Sequence, residues 1–345
     1  EQASIEAALL AENTAKCTPP LPDAEVRAIA ASVSRYEPAG GVEGTDAQTY
    51  ARLAALTPAE YDRVREDEAK ALRIRTPTLD AEVRRLRRGA DEPGAGEAMD
   101  FADPEPWPEP VDGAALLDAL AASVRRYLVV PAGAAEAIAL WAIHAHAHDA
   151  AQVSPLLTFT SPTPGCGKTT ALTLLGALVP KPMLASNFTA AALFRAVEKW
   201  RPTLLVDEGD TFLRDSDDLR GALNSGHYRA GAYIVRNVPV PGGDYEPRRF
   251  ATWAPKCIAL IGTLHATLAS RSIAIELRRK SATERTDRLR LDKLDELEPL
   301  HRMAARWAAD HLHALRTADP AMPAGLGDRP ADNWRGLLAI ADAAG

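Results

Sequence analysis

The sequence predicts an α/β fold in which a parallel sheet is flanked by helices, with a helical lid at the C-terminal end and small helical segments at the N-terminal end. Three observations predict it. Short apolar runs at 155–160, 183–186, 203–206, 256–261 and 272–277 alternate, over their first part, with helical stretches at 168–178, 189–199 and 216–226, the pattern of strands joined by helical crossovers. The first run passes through a glycine turn straight into a helix. The third ends in two adjacent acids, Asp207 and Glu208.

From the start of the chain, residues 3–15 and 23–36 have helical spacing and are separated by Pro19, Pro20 and Pro22, giving a small helical piece over 1–40. The chain begins without Met in what reads as the middle of a helix, so it is expected to be part of something longer. A linker is expected over 41–56, where Gly and charge concentrate at its start. Helical stretches 58–72 and 79–88, broken at Pro77, predict a compact helix-turn-helix-like module over 57–90. Residues 91–113 are acidic and rich in Pro and Gly, a connector stiffened by proline. Two helices, 114–128 and 132–150, open a core predicted over 114–280, and the helical pattern beyond Lys280 predicts a lid over 281–345. Two β-type runs, 233–238 and 247–252, flank Pro241-Gly242-Gly243-Asp244 and predict a hairpin inserted before the fourth strand.

Composition narrows the class. No apolar run reaches the roughly 18 to 20 residues that cross a bilayer, and nothing reads as a signal peptide. Cys17, Cys166 and Cys257 are odd in number and widely spaced, which predicts a reducing, cytoplasmic setting. The net charge of −7 is uneven: residues 1–155 hold 15 Lys and Arg against 26 Asp and Glu, and residues 156–345 hold 25 against 21. A weakly basic second half suits a channel for a polyanion.

Ser161-Pro-Thr-Pro-Gly165-Cys-Gly167-Lys168-Thr169-Thr170 follows a strand and opens a helix, the context of a Walker A phosphate loop. This predicts a P-loop NTPase that binds ATP and Mg²⁺. Pro164, Gly165, Cys166, Gly167, Lys168, Thr169 and Thr170 would surround the phosphates, because phosphate needs close backbone N–H donors and a positive helix end. Lys168 would reach the β and γ phosphates and Thr169 would place its hydroxyl on Mg²⁺. The motif's first glycine is replaced by Pro162. Asp207, at the end of Thr203-Leu-Leu-Val-Asp-Glu, would hold the magnesium, and Glu208 would orient and deprotonate the attacking water. Arg271, just before the fifth strand, reads as an arginine finger given to a neighbouring subunit, Thr263 as a γ-phosphate sensor, and Arg335 on the last helix as a second sensor. Each of the three reads equally as a structural residue.

Several blocks together resemble one family: Cys166-Gly-Lys-Thr-Thr, Ser186-Asn-Phe-Thr-Ala-Ala-Ala-Leu-Phe-Arg195, Pro202 to Glu208, Leu223-Asn-Ser-Gly-His227, Phe250 to Pro255, Arg271-Ser-Ile-Ala-Ile and Asp328-Arg-Pro-Ala-Asp-Asn-Trp-Arg335. The family is the domain of unknown function 3631, an ATPase domain of phage, plasmid and mobile-element proteins, and the resemblance runs from about Trp107 to the end. The opening, with Cys17-Thr-Pro-Pro-Leu-Pro, is similar to the end of a helical domain that follows primases. The resemblance implies an AAA+-like replicative helicase motor that forms a homo-oligomeric ring, a hexamer, works on single-stranded or forked DNA, and is joined to a primase module. It also implies that Arg236, Arg248 and Arg249 on the hairpin bind nucleic-acid phosphates; the competing reading is an ordinary surface hairpin with solvated arginines.

His144, His146 and His148 lack a third ligand at metal spacing and read as packing residues. Asn224, His227 and Arg229 read either as γ-phosphate or subunit contacts or as a helix cap and turn. Arg84, Arg85, Arg87 and Arg88 read as a solvated helix face or a DNA-backbone contact. The functional alternative to a motor is an ATPase switch that loads or remodels protein partners.

Overall fold

The computed structural model describes residues 9–11, 13–14, 21–33, 46–89, 99–212, 216–241 and 243–345. Cys17, much of the opening helix, the segment 34–45 and most of the acidic connector lie outside the described residues, as do the side chains of Arg84, Arg85, Arg87 and Arg88. The chain divides into two units, 1–99 and 100–345.

In the first unit, α1 (Asp23–Val33) buries Val26 and Ala30, one helical turn apart. Three helices follow: α2 (Asp46–Ala54), α3 (Pro58–Ala71) and α4 (Thr76–Gly89). Helix α2 falls where a linker was expected. At nine residues it would be marginal alone, but Leu53 joins Tyr61, Ala69, Leu79 and Val83 in one small core, and that burial holds it. Helix α3 starts with Pro58 after a capping box, in which the Thr57 side chain accepts from the Glu60 N–H and Glu60 reaches back to the Thr57 N–H.

The second unit opens with α5 (Gly113–Tyr127), capped by Asp112, whose Oδ1 accepts the Ala115 N–H at 2.8 Å. Helix α6 (Ala134–His146) is buried along almost all of its length. The sheet then assembles from β1 (Leu156–Ser161), α7 (Lys168–Gly176), β2 (Pro182–Ala185), α8 (Ala190–Trp200) and β3 (Thr203–Val206). The short α9 (Gly209–Phe212) and α10 (Asp217–Ser225) precede a separate antiparallel hairpin, β4 (Tyr233–Pro239) and β5 (Tyr245–Ala251). β6 (Lys256–Ile261), the one-turn α11 (Ala266–Ala269) and β7 (Ser272–Glu276) complete the sheet, and α12 (Glu298–Thr317) and α13 (Asp328–Ala344) end the chain.

The five strands are parallel in the order β2-β3-β6-β1-β7. Both faces are covered, which is why the strands read as continuous apolar runs. Leu157, Phe159, Leu205, Cys257 and Ala259 face a core shared with α5, α6, α7, α12 and α13. Leu204, Val206, Ile258 and Leu260 face the other core with α8 and α10. β6 lies between β1 and β3, so the loops leaving those two strands open on either side of a crevice at the carboxyl edge of the sheet, where open α/β sheets hold ligands. No helix among the described residues is long and apolar enough to cross a membrane.

The C-terminal helices are built into the core. Trp307 of α12 is buried beside the start of α5, and a Cβ on Gly113 would stand 2.6 Å from Trp307 Nε1 and 2.7 Å from Ala344 Cα. Gly113→Ala is therefore expected to cost about 1–3 kcal/mol by overpacking, read as a lower urea midpoint and melting temperature, whereas Gly221→Ala, with open space at its Cβ, should lower neither.

Candidate functional site

The loop from β1 to α7 turns at two left-handed glycines, Gly165 at φ +78° and Gly167 at φ +90°. No other residue between 161 and 169 has positive φ, so Pro162 fits where the motif has glycine: φ near −65° is all a proline permits. Gly167 is the N-cap of α7 and offers no side-chain hydrogen bond to the first turn, which leaves its N–H groups facing the crevice, an anion-binding geometry. Lys168 Nζ donates to Ser161 Oγ at 2.6 Å, and Ser161 Oγ in turn donates to the Thr163 carbonyl at 2.8 Å. Cys166 is buried and its Sγ donates to the same carbonyl at 3.2 Å.

Across β6, Asp207 continues β3 through a hydrogen bond from its N–H to the Ala185 carbonyl at 3.0 Å. Its Oδ2 accepts the Thr169 hydroxyl at 3.0 Å, and this contact joins the glycine loop to the acid pair. Its Oδ1 accepts the Glu208 N–H at 2.9 Å. Glu208 is exposed with φ +55°, a left-handed backbone that a non-glycine residue holds at a cost of about 1–2 kcal/mol. The turn thereby carries its carboxylate at the crevice rather than into the helix that follows.

A cavity of about 590 Å³ lies between the two loops, with Pro164, Gly165, Gly167, Lys168, Thr169 and Thr170 on one wall and Asp207 and Glu208 on the other. Asp210, not singled out from the sequence, closes the end of this cavity and accepts the Ile261 N–H at 3.1 Å. The donor set fits magnesium: Thr169 Oγ1 and Asp207 Oδ2 are hard oxygens already side by side, and Mg²⁺ takes one or two protein oxygens and fills its octahedron with phosphate and water. A second cavity of about 480 Å³ adjoins the loop from behind, sharing Gly165, Gly167 and Thr170. Tyr127, Leu128 and Val129 form one side and Thr286 to Leu289 another. These residues carry no motif, so sequence reasoning missed them. It also missed Arg279, whose Nε and Nη2 donate to the Pro164 carbonyl at 3.1 and 3.0 Å and brace the loop from outside.

The remaining sequence candidates lie elsewhere. Thr263 lines a smaller cavity of about 280 Å³ that shares Asp210 with the main one. Arg271 is half-buried on the turn between α11 and β7 and does not line the cavity between the two loops; its Nη1 donates to the Thr267 carbonyl at 2.6 Å. Burial, and then the charge of Arg329, push its pKa down. Arg335 pairs with Asp319 and lines neither cavity of the loop. On the hairpin, Arg236 and Arg248 face each other across the ladder. Arg236 pairs with Asp218 at 3.5 Å, Arg248 with Glu246 at 2.9 Å, and Arg249 lies over the Tyr233 ring at 4.7 Å. No group of three His, Cys, Asp or Glu that could hold a metal occurs among the described residues.

Two family models match the chain. Residues 1–39 match "Primase C terminal 1 (PriCT-1)" and residues 276–345 match "Protein of unknown function (DUF3631)". The second match covers the segment after β7 and is shorter than the stretch from Trp107 that the resemblance spans. The first is a similarity to a primase-associated segment and points to a DNA-replication context. Comparison with curated proteins returns no match. Among solved structures, an apo structure of the NrS-1 C terminal region aligns at 12% identity over 72% of this chain and 55% of that one, with a TM-score of 0.37. The chain thus spans about half the length of that protein.

The histidines of α6 are held neutral. Burial pushes the His144 pKa down to about 4, and that of His146 to about 3 despite its hydrogen bond to the Leu178 carbonyl. An unfolded histidine protonates near 6.5, so stability is full above that pH and is lost as pH falls toward 4, where the native ring resists the proton. Urea midpoints at pH 7 and pH 4.5 check this: His144→Leu, which removes an Nε2 that has no partner, should lose less on acidification than wild type, and an equal loss would contradict it.

Proposed function

We propose that this chain is a Mg²⁺-dependent ATPase of the P-loop class, AAA+-like in build, whose hydrolysis drives a helicase or translocase on DNA as the motor part of a primase-helicase. The observation that carries the reading is the 3.0 Å contact between Thr169 and Asp207, with Lys168 and Glu208 lining the same cavity. A triphosphate in that cavity meets the N–H groups of the α7 N-terminus and the Lys168 ammonium, which leaves a neutral hydroxyl, Ser161 Oγ, to reach it. The nucleoside occupies the second cavity behind the loop, against Tyr127 and Leu128.

Thr169 and Asp207 would hold the magnesium, which when bound offsets the charge on the β and γ phosphates. Glu208, exposed at the mouth, orients a water and takes its proton as the water attacks the γ-phosphorus. The bond to the bridging oxygen breaks, and ADP and inorganic phosphate leave. Arg271 does not line its own cavity, which suits a guanidinium given to a neighbour in a ring, where a finger contributes about 10³ to 10⁵ in rate. The primase-associated match supports DNA as the track, with the hairpin arginines as sequence-independent phosphate contacts. A second reading, an ATPase that loads or remodels protein partners, is favoured by one observation: Arg236 and Arg248 are each paired with an acid and Arg249 covers a tyrosine.

Turnover assays separate these. Glu208→Gln is expected to lower kcat by about 10² to 10⁴ while ATP binding is kept, and Lys168→Ala to lose binding itself. Single-stranded DNA should raise wild-type turnover, less so as salt rises. Hydrolysis untouched by Glu208→Gln sinks the ATPase assignment; hydrolysis indifferent to any nucleic acid but raised by a partner protein moves the reading to the loader.

A further inference from the structure

Two sequence blocks with no place in the phosphate cavity, 223–227 and 328–335, meet in space. His227 and Asn333 are buried, at 1% and 3% exposure, and His227 Nε2 lies 2.7 Å from Asn333 Oδ1 across 106 residues of sequence. Asn333 Nδ2 donates to the Ser270 carbonyl at 3.2 Å, so its Oδ1 is the acceptor and His227 carries the proton on Nε2. Beside this chain, Arg329 Nη1 donates to Ser270 Oγ at 3.2 Å and Tyr228 donates to Asp332 at 2.7 Å. Helix α13 is thereby fastened at once to the end of α10 and to the turn that carries Arg271.

The Arg271 side chain does not fix itself. Its Nη1 has one hydrogen bond, to Thr267, and its Nε–H is buried without an acceptor, an arrangement that the surrounding frame must impose because an unmade buried hydrogen bond is costly. The frame also reaches the strand that ends in the glycine loop. The Leu156 N–H at the start of β1 donates to the Arg271 carbonyl at 2.9 Å, and the Ser154 N–H donates to the His227 carbonyl at 2.9 Å. Each end of β1 therefore bears on a different part of the reaction: Arg271 at one, Lys168 beyond the other.

We infer that His227 and Asn333 are positioning residues, a buried latch through which the C-terminal helix holds the Ser270–Arg271 turn and so aims Arg271 at the nucleotide of a neighbouring copy of the chain. The inference rests on the reading of Arg271 as a finger given in trans, and it adds the device that sets the finger. It gives the lid helix a task at the subunit boundary, although that helix contributes no side chain to its own phosphate cavity. Removing Asn333 frees the turn and leaves the cavity walls intact, so turnover falls and nucleotide affinity does not.

The test uses the whole chain with Asn333→Ala, the exposed variant Arg329→Ala in case the buried one fails to fold, Arg271→Ala, and the Asn333→Ala/Arg271→Ala double. Asn333→Ala should lower kcat by about tenfold with KM for ATP unchanged, and should lower it no further when Arg271 is already alanine. Arg329→Ala should give a smaller loss of the same kind. Amide exchange over 266–272 should quicken in both latch variants and stay at the wild-type rate in Arg271→Ala. Unchanged exchange in a folded latch variant overturns the latch, as does a full tenfold loss in the Arg271→Ala background. Wild-type turnover in Arg271→Ala overturns the finger reading instead, with the exchange result still deciding whether the turn is held.

Discussion

The hydroxyl of Thr169 and the carboxylate of Asp207 come together because the sheet fixes where two loops end. Thr169 stands in the first turn of the helix after β1, Asp207 caps β3, and the single strand between them, β6, sets their separation. Parallel strands start their loops on the same edge, so a glycine turn and an acid pair placed after two of them must open into one crevice. The 3.0 Å contact is the result. Everything proposed about chemistry depends on it, because the magnesium and the attacking water would both need an acid beside the triphosphate.

The rest of the unit serves that edge. The strands are buried on both faces, by α5, α6, α7, α12 and α13 on one and by α8 and α10 on the other, which leaves little freedom for the loops to part. Within the loops, strain is confined to positions that gain from it. Gly165 and Gly167 take left-handed torsions without cost, while Glu208 takes one at a cost that the surrounding turn sustains.

The strands, and the places of the glycine turn and the acid pair after two of them, were legible in the sequence because their signals are local. A run apolar on both faces reads as a buried strand whatever its neighbours, and Gly-Cys-Gly-Lys-Thr after such a run reads as a phosphate loop even with Pro162 in front. Strand order was not legible, since nothing in β1 states that β6 and β7 will flank it. Helix α2 was missed because a single buried leucine, Leu53, and a partly polar face decide its fold. Arg279 and the wall formed by Tyr127 and Leu128 escaped notice for the opposite reason: their neighbours in space are distant in sequence. Arg335 pairs with Asp319 and does not line the cavity, a placement that its position in the sequence does not reveal.

If the glycine loop and the acid pair serve one triphosphate together, binding of ATP and of magnesium must be linked. Titration of ATP by calorimetry, with and without Mg²⁺, should show the metal tightening ATP at wild type and failing to do so in Asp207→Asn, since two ligands that share a site are coupled reciprocally. ATP affinity that responds to Mg²⁺ identically in both proteins would place Asp207 outside the site and contradict the claim.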